Sequence, residues 1–381
     1  LSVGVTILFF DGYQWFESLL LCPKPGRRRL SVFARTTCLR PLTTQIVKTA
    51  IVVLNWNGQA LLAQFLPTLV ACTPKDLAEI HVVDNGSTDQ SIDWMQANYP
   101  EVKLICLTEN NGFAGGYNQG LKQVEADLYC LLNSDVAVSS DWLVPVLTHF
   151  KNHPETAIAQ PKILDYLNPH LFEYAGGAGG FIDALGFPYC RGRIFQTIEQ
   201  DRGQYNDDCH VFWATGACFF IRSSVYHQLG GFDEFYFAHQ EEVDLCWRAQ
   251  KHGYRVMALG GTQVYHLGGS TLSNMNPKKT FLNFRNSLYS LVKNHKPARA
   301  LLSVLIRLPL DGIAGLLFLF QGKPAHTQAV FWAHMSFYRH LPSICAKRKF
   351  SGSYVLNFSQ LSIVFSYFIR GKKIFSELRK D

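Results

Sequence analysis

Between residues 49 and 133 short apolar runs alternate with helical stretches, and no other feature of the chain narrows the choice of fold so far. TAIVVLN (49 to 55), AEIHVVD (78 to 84), KLICL (103 to 107) and DLYCLLN (127 to 133) read as buried strands. A helix from about Gln59 to Cys72 follows the first, and Ser87-Thr88-Asp89-Gln90 reads as a capping box opening a second helix, SIDWMQANY. Alternation of this kind predicts βαβ units and an α/β fold with a mostly parallel sheet flanked by helices. Ligands of such sheets bind outside the carboxyl ends of the strands. Asn55-Trp56-Asn57, Asp84-Asn85-Gly86-Ser87, the loop 109 to 118 and Asn133-Ser134-Asp135 all fall at those ends, so they are expected to line one crevice.

Each cluster has a chemical use there. Asp84 suits a hydrogen bond from a pyrimidine ring N–H, and the helix start after Ser87 offers backbone donors to an anion. ENNGFAGGYNQG places four glycines before a helix, as a close backbone approach to a ligand requires, or a surface loop. Asp135, exposed by a turn after an apolar strand, suits a hard cation such as Mg²⁺ or Mn²⁺ bridging phosphates; the alternative is a turn or capping aspartate.

Residues 176 to 210 are Gly-rich, carry a few charges and read as a long functional loop. FWATGACFFIR (212 to 222) reads as one strand, in which Gly216 lets a substrate approach the backbone and Trp213 either stacks on a sugar face or fills the core. Glu241, Glu242 and Asp244 open a helix running to about His252. Such carboxylates either complement the helix dipole, with Asp244 pairing Arg248 at i,i+4, or supply a general base that the dipole keeps ionised. His266 ends a further strand before a double glycine, and a ligand role there requires that it meet Asp135 in space.

The net charge of +7 hides a segregation: residues 1 to 48 carry 7 basic and 2 acidic side chains, 49 to 277 carry 12 and 24, and 278 to 381 carry 17 and 3, or +5, −12 and +14. An acidic, ordered middle repels phosphate unless a metal intervenes, which argues against a nucleic-acid binder. The ten cysteines include no CxxC pair and several lie in apolar strands, as expected in a reducing, cytoplasmic compartment.

Eight segments, IVVLNWNG, VDNGSTD, ENNGFAGGYNQG, LLNSD, TGACFFIR, GGFDE, EEVDLCWR and YHLGGST, occur in this order over about residues 49 to 290. Together they resemble the family 2 glycosyltransferases of the GT-A fold, in particular the rhamnosyltransferase-like branch of bacterial surface-polysaccharide biosynthesis. The resemblance implies a Rossmann-like sheet and inverting transfer of a sugar, rhamnose for this branch. The donor would be a dTDP- or UDP-linked sugar, and the acceptor a hydroxyl of a polyprenyl-linked glycan or oligosaccharide. It implies that Asp84 binds the base and Asp135 a divalent metal, Mg²⁺ or Mn²⁺, with Asn133 in the first position of the DxD-type element and His266 a further ligand. Asn55, Asn57, Asn85, Ser87, Gly115, Asn118 and Ser134 fall on the nucleotide-sugar side, and Trp213, Gly216 and Asp244 on the acceptor side. Glu242 matches the base position, with Glu241 its alternate. A sugar nucleotidyltransferase needs a basic, Gly-rich loop after the first strand, which NWNGQALL lacks. A glycan-binding scaffold on an inactive core leaves the set Asp84, Asp135 and Glu242 without a purpose.

Residues 300 to 320 are long enough to span a bilayer, yet Arg307, Pro309 and Asp311 lie at the centre, where each charge costs about 2.5 to 3.5 kcal/mol. An in-plane or re-entrant segment is expected, with basic, aromatic-rich helices resting on an anionic membrane surface. Residues 291 to 381 thus read as a helical membrane-associating region beside a 49 to 290 transferase domain, peripheral or monotopic at the cytoplasmic face of the inner membrane. Residues 1 to 48 lack the basic start of a signal peptide and read as a disordered extension or a non-native start.

Overall fold

Residues 48–268, 276–348 and 360–378 are described by the computed structural model; residues 1–47 of the expected 1 to 48 extension and residues 269–271 of YHLGGST lie outside them. The β-branched and leucine-rich runs become the centre of the sheet. β1 (Thr49–Asn55), α1 (Gln59–Ala71), β2 (Glu79–Asp84), α2 (Ser91–Asn98), β3 (Lys103–Cys106), α3 (Gly112–Gly120) and β4 (Leu128–Asn133) give four parallel strands in the order β3-β2-β1-β4. Alternate residues face two core layers: Ala50, Val52 and Leu131 enter one, Ile51, Val53 and Leu132 the other. The chain runs outward from β1 to β3, then returns to lay β4 on the opposite side of β1, which opens a crevice at the carboxyl edge. Register brings Asn55 beside Asp84 and Leu54 beside Asn133.

Past β4 the sheet becomes mixed. β5 (Val136–Val138), α4 (Val144–Asn152) and β6 (Thr156–Asp165) are followed by four very short strands, β7 (Gly180–Ile182), β8 (Pro188–Cys190), β9 (Arg193–Ile194) and β10 (Thr197–Ile198). These four pair antiparallel in a second sheet, so the expected long loop at 176 to 210 carries a small sheet of its own. β11 (Cys209–His210), β12 (Cys218–Arg222), α5 (Ser223–Leu229), α6 (Glu241–Lys251) and β13 (Arg255–His266) complete the main sheet, ordered β11-β13-β6-β12-β4-β1-β2-β3. β12 enters antiparallel between β4 and β6, so its amino end meets the carboxyl end of β4. There the Asn133 N–H donates to the Ala217 carbonyl at 3.0 Å. The expected strand from 212 begins only at Cys218, because the Thr215 N–H is taken by the Gln160 side chain at 2.8 Å.

The capping box is also absent. α2 starts at Ser91, where Asp89 accepts the Ser91 N–H at 3.0 Å, and the Ser87 hydroxyl turns toward β1 instead.

The C-terminal helices are α7 (Pro277–Asn294), α8 (Pro297–Phe320), α9 (Pro324–Ala346), α10 (Ile363–Phe368) and α11 (Phe375–Leu378). Among the described residues α8 is the one helix long and apolar enough to cross a membrane. Its polarity is inverted: the stripe facing the protein is Ala300, Ser303, Arg307, Asp311 and Gly315, while Leu301, Leu302, Leu305, Leu316 and Leu317 are exposed. Arg307, 2% exposed, donates to Asp311 at 2.9 Å and to Ser287 on α7 at 3.0 Å, and His334 of α9 lies 3.0 Å from Asp311. The charges that interrupt the apolar run therefore point at neighbouring helices.

Candidate active site

Two polar clusters form along the carboxyl edge. In the first, the Asn55 amide donates to Asp84 at 3.0 Å and to Ser87 at 3.3 Å, and Asp84 accepts the Ser87 N–H at 2.8 Å. The Asn57 N–H donates to Ser87, and its side-chain oxygen accepts the Thr88 N–H at 2.7 Å, which ties the end of β1 to the turn after β2. Asn85 accepts the Asn111 N–H and donates to the Gly112 carbonyl, pinning the glycine loop. That loop packs on its own protein: a Cβ at Gly115 would meet Asn111 at 2.8 Å and one at Gly116 would meet Leu54 and Asn85, while Gly112 takes φ +69° under Phe237. Asn118 is drawn away from the cluster, bonded to Tyr226, Phe232 and Glu234.

The second cluster joins residues far apart in sequence. β13 runs parallel to β6 and pairs antiparallel with β5, placing His266 opposite Val136. His266 Nε2 then lies 3.1 Å from Asp135 and 3.3 Å from the Asn133 amide, with half-buried Ser134 between those two residues in the chain. On its other side Nδ1 lies 3.4 Å from Glu173, a residue sequence reasoning missed. Burial disfavours charge on the imidazole, but the two flanking carboxylates outweigh it and push its pKa up to about 10. Among the described residues no three His, Cys, Asp or Glu side chains converge to hold an ion. The 3.1 Å separation of Asp135 and Nε2 nevertheless matches the roughly 3.0 Å edge of an octahedron with bonds of about 2.1 Å, so these two donors fit one hard cation.

The third component is the start of α6. Phe237, His239 and Gln240 all take positive φ, 64°, 68° and 73°, at a cost of about 1–3 kcal/mol each. Asn286 of α7 holds this strained turn, its amide lying 2.7–3.1 Å from the carbonyls of Tyr236, Ala238 and His239. The turn delivers Glu241 and Glu242. Glu241 is buried, and burial followed by the Glu242 charge holds its carboxyl far above the usual range. Glu242 is less enclosed: burial raises it to about 7, opposed by backbone N–H groups at the helix start. One oxygen of each has no hydrogen-bond partner among the described residues, and neither does Asn55 Oδ1. Buried polar atoms left unpaired at the same edge mark a place for a ligand.

Residues 50–230, just under half of the chain, match the family described as glycosyl transferase family 2. The chain carries a family 2 glycosyltransferase domain. An N-acetylglucosaminyl-diphospho-decaprenol L-rhamnosyltransferase of Mycobacterium tuberculosis is 25% identical over 230 residues, 57% of this chain and 75% of that protein. The O-antigen biosynthesis protein RfbC of Myxococcus xanthus is 26% identical over 227 residues, 58% of this chain and 17% of that one. Among solved structures, GalNAc-T7 with UDP, GalNAc and Mn²⁺ has a TM-score of 0.51 at 18% identity, covering 65% of this chain and 48% of that chain; the likeness is one of fold, the GT-A architecture.

Within the transferase domain two expected acceptor-side residues take other work. Trp213 is 3% exposed, its indole N–H donates to the Phe181 carbonyl at 2.9 Å, and its ring fills the space a side chain at Gly180 would need. It cannot present a face to a sugar. Asp244 is fully buried and pairs with Arg248, Lys293 and Asn294, each at 2.8 Å, which holds its carboxyl well below the usual range against burial. It fastens α6 to α7. Gly216 stays near the crevice, where a Cβ would lie 3.1 Å from Phe113. In the small second sheet burial raises the Cys190 thiol to about 11, with Arg193 opposing the rise and Glu173 and Glu242 adding to it.

Proposed function

We propose that this glycosyltransferase is inverting and metal-dependent and moves a sugar, rhamnose by the branch it resembles, from a dTDP- or UDP-linked donor to a hydroxyl of a polyprenyl-linked or oligosaccharide acceptor. The observation that carries the reading is the meeting of Asp135 and His266, 131 residues apart in sequence, beside the Asn55–Asp84–Ser87 network. Asp84 and Asn55 would orient the base, and the Asn55 oxygen left unpaired would take a donor from it. Asp135 and His266 would hold the cation, Mg²⁺ or Mn²⁺, which when bound supplies positive charge to the leaving diphosphate. Glu242 would take the acceptor proton, since its pKa near 7 is matched to that task at neutral pH. Burial and the Glu242 charge hold the Glu241 carboxyl far above the usual range and Asp244 is committed to cations, so neither competes.

The same reading places the enzyme, peripheral or monotopic, on the anionic cytoplasmic face of the inner membrane. Its support is the outward apolar face of α8 together with exposed Phe331, Trp332 and Met335 on α9 and exposed Lys296, Arg299 and Arg339. We divide the chain into the extension 1 to 48, the transferase domain 49 to 290 and the membrane-associating region 291 to 381; the last boundary falls inside α7, which both parts share. A screen of nucleotide sugars with Mn²⁺ or Mg²⁺ and a polyprenyl-linked acceptor tests the activity. Transfer from one donor with inversion at the anomeric carbon is expected; transfer with retention, or none from any donor, would overturn it.

A further inference from the structure

We propose that Glu173 is a positioning residue for the metal site, fixing the His266 ring so that Nε2 is presented to the cation beside Asp135. The inference rests on the reading of Asp135 and His266 as metal donors. Asp135 faces Nε2 and Glu173 faces Nδ1, on opposite sides of one imidazole that is 7% exposed. Among the described residues Nδ1 has no hydrogen-bond partner, which leaves Glu173 as the carboxylate set against it. A carboxylate there keeps the proton on Nδ1, so that a cation arriving beside Asp135 displaces the Nε2 proton and binds that nitrogen, the arrangement by which outer carboxylates orient metal-bound histidines. Glu173 is not a third donor to the same ion, because it faces the far nitrogen and no three such groups converge among the described residues.

The carboxylate is itself held in place. Its other oxygen accepts the Ala175 N–H at 2.6 Å, its own N–H donates to the Ile163 carbonyl at 3.0 Å, and the preceding Phe172 is fully buried. Glycine at 268, with φ +64°, keeps the approach open, since a Cβ there would come within 3.2 Å of the Glu173 oxygen and 3.8 Å of Nδ1. An acidic residue that is 6% exposed, anchored at one oxygen and with the other 3.4 Å from a ring nitrogen, has a fixed orientation to transmit.

The test is Mn²⁺ binding to the full chain, followed by the electron paramagnetic resonance of free Mn²⁺, for wild type, Glu173→Ala, Glu173→Gln and His266→Ala. Glu173→Ala is expected to bind about 10–100-fold more weakly. Glu173→Gln keeps shape and an acceptor but loses the charge, so a smaller loss is expected, and its transfer rate should return toward wild type in excess Mn²⁺, as a purely structural defect would not. Should Glu173→Ala fail to fold, Glu173→Gln decides alone. Wild-type affinity in the Glu173 variants with impaired His266→Ala overturns the role of Glu173 only. Unimpaired His266→Ala, or a wild type that does not bind Mn²⁺, removes the metal assignment and this inference with it.

Discussion

The crevice at the carboxyl edge and the α7–α9 bundle both bury charged side chains, but they treat them in opposite ways. In the bundle the buried charges Arg307, Asp311 and Lys293 are matched: Arg307 with Asp311, Asp311 with His334, and Lys293 with Asp244 of α6, which also pairs Arg248. At the crevice Glu241 and Glu242 lie side by side after a turn of three strained residues, without a paired cation among the described residues and each with an oxygen unpaired there. Burying two carboxyl groups together disfavours their ionisation unless something compensates. The bundle spends its ion pairs on holding helices; the crevice stores mismatch that a substrate hydroxyl and a metal would relieve.

The sharpest break of that contrast is at Glu242. Glu242→Gln is expected to lower kcat about 10²–10⁴-fold, while raising Tm, because it removes a carboxyl whose ionisation the fold disfavours. Unchanged kcat would return the base role to Glu241. In the bundle the opposite pattern is expected: Asp311→Ala leaves the Arg307 charge buried without its counter-ion and costs about 3–5 kcal/mol, read by denaturant unfolding, with kcat of the folded fraction unaltered. A loss of kcat without loss of stability would show that the bundle takes part in the chemistry.

The pH dependence sharpens the same contrast. With Glu242 raised to about 7, kcat/KM should fall about tenfold per unit as the pH drops below that value, since the base must be ionised. The stability contribution has the other sign: the folded state holds this proton more tightly than the unfolded chain, so stability declines as pH rises from the ordinary glutamate range through about 7. A kcat/KM flat from pH 5 to 8 would count against Glu242. The smallest effect is expected on the outer face of α8. Replacing Leu305 and Leu316, 58% and 53% exposed, together with Gln should change unfolding by no more than about 1 kcal/mol yet reduce sedimentation with anionic vesicles several-fold. Equal sedimentation of variant and wild type would remove α8 from the membrane surface.

Local periodicity was enough to find β1 to β4, α1 and α6, because continuous apolar runs bounded by polar turns leave few alternatives. It failed where elements are too short to have a period. β7 to β10 are two or three residues each and are made by pairing partners, so the segment 176 to 210 looks like a loop until it is folded. Glu173 sits alone in LFEYAGG and Asn286 midway along α7; nothing near either in sequence shows which ring or which carbonyls it will meet.

From its sequence alone this protein declared a carboxyl-edge crevice and the candidates Asp84, Asp135, Glu242 and His266, since strand ends and helix starts are local events. Tertiary structure alone decided which of them meet. The antiparallel entry of β12 and the return of β13 beside β6 bring His266 to Asp135, put Glu173 behind the ring and move Trp213 and Asn118 into packing roles. The same holds for Arg307 and Asp311. Their presence in an apolar helix is written in the chain, but the side they face follows from α7 and α9, which supply the partners that make burial of charge affordable.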